Sequence, residues 1–137
     1  MWDYADIYKK DQFAFSYCTV HEMMYKKLEG RKLSHFFEWN GYETSALCCL
    51  SSLGLLYLEW AKEEGVSPEF AIDKRPPEVF ERADIQVIAP RDIQAAPEVD
   101  VYIIAHVYYF NEIADSLIEQ GVPEERIVSL NDILFSI

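Results

Sequence analysis

Cysteine, positive charge and long apolar runs are all in short supply, and each shortage narrows what the chain can be. The three cysteines, Cys18, Cys48 and Cys49, are an odd number with two adjacent, so no framework of several disulfides can be assembled from them. There is no CxxC pair or Cys/His cluster with metal-ligand spacing, and no metal is expected. Buried free thiols in a reducing cytosol are the expectation. Lys and Arg together number 12 against 24 Asp and Glu, a formal charge of −12. Nucleic acids are held mainly through Lys and Arg, so a nucleic-acid partner is not expected. The longest apolar runs, such as 46–50, fall far short of the ~20 residues that cross a bilayer. The opening Met1-Trp2-Asp3-Tyr4-Ala5-Asp6 has neither the basic nor the apolar region of a secretory signal. The chain therefore reads as soluble and cytoplasmic, without membrane attachment. Three catalytic signatures are also missing: the Tyr-x-x-x-Lys pair of short-chain dehydrogenases, a Walker lysine loop and a GxSxG elbow.

What is present is material for one ordinary domain. Of 137 residues, 50% are apolar and 15% aromatic, enough for a substantial core and too many for a disordered chain. Over 11–28, Phe13, Tyr17, Val20, Met24 and Leu28 recur in steps of three and four, which predicts one face of an amphipathic helix ending at Gly30. Ser34 is placed to cap a short second helix, with Gly41 to close it.

From Tyr42 the pattern changes to short apolar runs alternating with helical stretches. Strands are predicted at 45–50, 70–73, 85–88, 99–105 and 126–129. Between them fall a helix at 53–64, with Leu53, Leu56, Tyr57 and Trp60 on one side, a turn at 78–82 and a helix near 109–119. A closing turn of helix falls at 131–134. Strands apolar on both faces and separated by helices imply a parallel sheet covered by helices. The predicted class is α/β, with five parallel strands in the order 3-2-1-4-5; a 2-1-3-4-5 order is the alternative. Residues 1–40 read as a helical extension and 41–137 as the sheet domain.

Four stretches carry a resemblance. They are Ala46-Leu47-Cys48-Cys49-Leu50-Ser51-Ser52-Leu53-Gly54, Phe70-Ala71-Ile72-Asp73-Lys74, Val99-Asp100-Val101-Tyr102-Ile103-Ile104-Ala105, and Ile127-Val128-Ser129-Leu130-Asn131-Asp132-Ile133-Leu134. Through them residues 34–137 resemble the small Rossmann-like, NAD(P)-binding-like domains of bacterial polysaccharide and glycosyltransferase gene neighbourhoods. The resemblance implies a nucleotide-type crevice at the carboxyl ends of the strands, with NAD(P) or another nucleotide as the candidate cofactor.

Laid on the dinucleotide-binding turn G-x-G-x-x-G, the segment Cys49-Leu50-Ser51-Ser52-Leu53-Gly54 keeps only the third glycine. Ser51 stands where pyrophosphate would approach the backbone. Two readings stand for Ser51 and Ser52. Their hydroxyls and the helix start receive a small anion, or one of them caps the helix. Asp73 lies nineteen positions after Gly54, near the spacing of a ribose-binding carboxylate, and is alternatively a turn aspartate. Its neighbours Lys74 and Arg75 either pair with it or meet a phosphate. His106 follows the strongest strand at the edge where open α/β sheets bind ligands, so it is a candidate ligand contact. Cys49 sits at the same strand-to-helix turn and reads as a packed thiol rather than a nucleophile. His21 and His35 read as surface or partner contacts, and Tyr108, Tyr109 and Phe110 as core or as a stacking platform.

The candidate ligand-site residues are thus Cys49, Ser51, Ser52, Gly54, Asp73 and His106, with no catalytic residue assigned. The functional expectation is a non-catalytic ligand-binding or regulatory module with a degenerate dinucleotide turn, taking a small anionic or nucleotide ligand. A small NAD(P)- or sugar-nucleotide-dependent oxidoreductase or epimerase is the alternative. The aromatic load of the N-terminal segment, including Trp2, Tyr4 and Tyr8, points to a homo-oligomer formed through that helix or the sheet edge.

Overall fold

In the computed structural model, which describes residues 12–137, five short strands build one sheet in the order β3-β2-β1-β4-β5. The strands are β1 (Ser45–Cys48), β2 (Phe70–Ile72), β3 (Val87–Ile88), β4 (Val101–Ile104) and β5 (Ile127–Ser129), and every pairing is parallel. Parallel neighbours need crossover connections, and two of the four run through α-helices, of which five are described. They are α1 (Gln12–Leu28) and α2 (Leu33–Asn40) before the sheet, α3 (Ser52–Glu64) after β1, α4 (Phe110–Glu119) after β4 and α5 (Leu130–Ser136) at the end. The links from β2 to β3 and from β3 to β4 are 3-10 turns, Pro77–Ala83 and Pro90–Ala95, each opened by a proline that pre-sets its first dihedral. The sheet order and α/β class are those expected from the alternation of runs. Trp2, Tyr4 and Tyr8 lie outside the described residues.

Each strand is apolar on both faces because both faces are covered, though unequally. Leu47, Ala71, Val87, Val101 and Ile103 point into the larger core with Leu33, Phe36 and Phe37 of α2, Tyr57, Leu58 and Ala61 of α3, and Ile133 and Leu134 of α5. Ala46, Cys48, Ile72, Tyr102 and Ile104 point the other way, against Leu117 of α4 and Ile93 of the second 3-10 turn. No helix among the described residues is long and apolar enough to cross a membrane.

Three local expectations need correction. The stripe Phe13, Tyr17, Met24 and Leu28 faces solvent, and α1 seats Phe15, Cys18, Thr19 and Met23 on the protein instead. Small Cys18 and Thr19 between Phe15 and Met23 make up that buried side, and the stripe of Phe13, Tyr17, Met24 and Leu28 is left outside. On α3, Leu56 is half exposed, while Leu53, Gly54, Tyr57, Leu58, Trp60 and Ala61 form the buried side. Ser34 does not cap α2. The orphan amides of Leu33 and Ser34 donate at 3.0 and 3.1 Å to the two carboxylate oxygens of Glu64, thirty residues away at the end of α3. A negative charge at a helix start satisfies both donors and complements the dipole. This one side chain fixes α2 against α3. Glu64→Ala should therefore cost about 1–2 kcal/mol, the range of a lost helix cap, read as a lower urea midpoint with an unchanged slope.

Candidate functional site

The carboxyl ends of β1 and β2 open onto a crevice, and the chain leaving β1 borders it. The Cys48–Cys49 peptide is cis, and the chain passes through Cys49 and Leu50 into α3. Ser51 is the helix cap: its Oγ accepts from the Gly54 amide at 3.2 Å and donates to the Ala105 carbonyl at 3.4 Å. Gly54 is required here, since a Cβ would lie 2.0 Å from the Cys49 carbonyl oxygen. It performs the task of the third glycine in a dinucleotide turn, close helix–strand packing. Ser52 is the exposed first residue of α3.

Asp73, just past β2, is buried, and the protein itself uses both of its oxygens. Oδ2 accepts from the Leu50 amide at 3.0 Å and from Arg75 Nη2 at 3.1 Å. Oδ1 accepts from the Arg75 amide at 2.9 Å and from Arg75 Nε at 3.1 Å. A carboxylate offers about four acceptor positions, and all are taken. Arg75 also donates to the Leu50 carbonyl at 3.0 Å and lies over the Phe80 ring at 4.7 Å. Burial alone would raise the Asp73 pKa. The bonds from Arg75 and from the Arg75 and Leu50 amides outweigh it and hold the group below the usual carboxylate value.

Beside this tie a cavity of about 440 Å³ opens on the sheet face opposite α3. Cys48, Ile72, Ile113 and Leu117 make its apolar floor, Pro90 and Tyr109 flank it, and Lys74, Arg75, Glu112 and Ser116 contribute its polar groups. Cys49 and Asp73 line it as well; Ser51, Ser52, Gly54 and His106 do not. Burial, with the Asp73 charge second, pushes the Cys49 thiol up, so it stays protonated. The His106 ring lies tilted beside Tyr109 with ring centroids 5.0 Å apart, and burial pushes its pKa below the ordinary value.

No family model, curated protein or solved structure matches this chain. What the site does is read from its own atoms.

The six candidate residues thus divide. Cys49 and Asp73 reach the cavity, Ser51 and Gly54 build the turn beside it, Ser52 is on the surface and His106 stands outside the lining. Sequence reasoning missed Glu112 and Ser116, which share a helix face one turn apart. Their spacing with Tyr109, Ile113 and Leu117 was the available signal. Among the described residues no group of three or more His, Cys, Asp or Glu stands where it could hold a metal.

The depressed pKa of Asp73 fixes the sign of a pH effect. Its contribution is full above the unfolded value of ~3.9 and is lost as pH falls through the lower folded value. Asp73→Ala should cost roughly 2–3 kcal/mol, mostly from the unsatisfied Leu50 amide, since solvent screens the half-exposed Arg75. Urea midpoints taken from pH 7 down to pH ~2 should fall less steeply in the variant than in the wild type.

Proposed function

We propose that this chain is a non-catalytic, Rossmann-like binding module. It holds one compact, nucleotide-like anion in the carboxyl-edge cavity and serves surface-polysaccharide synthesis as a regulatory or scaffold component, the setting that its sequence resemblance implies. The observation that carries this reading is the cavity itself: it lies at the carboxyl edge of an open parallel sheet, where α/β folds take ligands. Its volume suits a mononucleotide or smaller molecule. Two features weigh against a dinucleotide. Ser51 replaces the glycine that lets pyrophosphate touch the backbone, and Asp73 has no acceptor left for a ribose. The same saturation, the protonated Cys49 and the position of His106 outside the lining favour binding over turnover.

Melting curves test this reading. At millimolar concentration AMP or UMP should raise the melting temperature by a few degrees, the mass-action effect of a ligand well above its Kd. NAD, ADP-ribose and UDP-glucose should do no better than the mononucleotides. A flat response to all of them removes the nucleotide reading, and nicotinamide turnover abolished by His106→Ala would make the protein an enzyme.

The outward stripe of α1 supports self-association as well. Tyr17, Met24 and Leu28 are 63%, 60% and 79% exposed, beside an apolar groove lined by Val20, Met23, Leu56 and Trp60. Apolar surface gathered in one place marks an interaction face, and a twofold pairing of α1 helices would cover it. Light scattering at tens of micromolar should return twice the 16.0 kDa chain mass. Met24→Glu with Leu28→Glu should return the single chain. A wild-type particle of one chain mass overturns the pairing.

A further inference from the structure

In a nucleotide-type crevice the carboxylate at the end of β2 receives the sugar hydroxyls, and here that carboxylate is unavailable. Every acceptor position of Asp73 is filled by Leu50 and Arg75. The Arg75 guanidinium is committed in turn to Asp73, to the Leu50 carbonyl and to the face of Phe80. Their charges cancel within the wall. Two charged groups of the lining remain, Lys74 beyond β2 and Glu112 on α4. Neither makes a hydrogen bond or ion pair among the described residues.

The two belong to different walls. Glu112 lies in the first turn of α4, with Ser116 one turn further along the same face, and Ile113 and Leu117 of that helix form part of the floor. The cavity thus combines an apolar floor, one available cation and one available carboxylate with a hydroxyl nearby. A carboxylate accepts two adjacent O–H groups with its two oxygens, and an ammonium group pairs with a phosphate.

We propose that Glu112, and not Asp73, is the diol receptor of this cavity, and that the ligand class is a phosphate bearing a vicinal diol. Its hydroxyls are held by Glu112 with Ser116, and its phosphate by Lys74. The assignment rests on the binding-module reading above. The apolar lining of Cys48, Ile72, Ile113 and Leu117 favours a ribonucleoside monophosphate over a free sugar phosphate, because a base brings apolar surface to cover it and a bare sugar does not.

Calorimetric titration of the full chain with AMP, UMP, 2′-deoxy-AMP, adenosine and ribose 5-phosphate tests the assignment. The wild type should bind AMP or UMP about tenfold or more tightly than 2′-deoxy-AMP, the factor of one lost hydrogen bond to a charged group. Glu112→Gln should keep the wild-type melting temperature, because Glu112 is exposed, and lose the preference for ribose over deoxyribose. Lys74→Met should weaken AMP about tenfold and leave adenosine unchanged. Weaker binding of ribose 5-phosphate than of AMP marks the nucleoside as the source of the diol, and equal binding marks a sugar phosphate. An undiminished ribose preference in Glu112→Gln overturns the assignment while leaving the binding module intact. If none of the phosphates binds the wild type, both readings fall.

Discussion

The carboxylate of Asp73 ties together two pieces of chain that would otherwise part at the carboxyl edge of the sheet. Through the Leu50 amide it holds the loop leaving β1, and through the Arg75 amide and side chain it turns the segment leaving β2. The Arg75 guanidinium closes the ring by returning to the Leu50 carbonyl. A buried charge is tolerated only when its lone pairs are met and a countercharge is near, and both conditions hold. The cavity wall is therefore rigid where it meets β1 and β2. The same bonds occupy both oxygens of Asp73.

The turn from β1 to α3 imposes the second constraint. Gly54 lies so close to the Cys49 carbonyl that no side chain fits, and Ser51 fastens the helix start to both Gly54 and the β4 end at Ala105. The helix approaches the strand as it does in a dinucleotide-binding turn, while the cap hydroxyl occupies the amide that would greet an anion. That turn packs helix on strand, and its Gly54 amide is taken by the cap.

The α/β class was legible because short apolar runs alternating with helical stretches, punctuated by Gly65, Gly121 and the prolines, survive without tertiary information. The order 3-2-1-4-5 was the preferred of two that this pattern allowed, and the pairing of β1 with both β2 and β4 decides it. The third strand was harder, since only Val87 and Ile88 pair. The orientation of α1 was not legible, because two apolar sets at helical spacing compete on it and small Cys18 and Thr19 won the core side. The capping of α2 by Glu64 joins residues thirty positions apart, beyond the reach of any local signal. At the site, the nearness of Asp73 to the turn was readable from spacing. Its full occupation by Arg75 was not, because a side chain's partners depend on distances that the sequence does not carry. Glu112 escaped for the same reason: it acquires meaning only once α4 is laid over the ends of β1 and β2.

The sheet separates two unequal halves of the molecule. Among the described residues, four of the five helices bear on the larger core or stand on its side, and α4 with a short 3-10 turn covers the opposite face, where the cavity lies. The partition is one peptide layer thick. Leu50 and Phe80 nevertheless belong to the larger core and also brace the opening, Leu50 through its amide on Asp73 and Phe80 beneath the Arg75 guanidinium. A change of side-chain volume on the crowded side therefore reaches the hollow side first through those two residues.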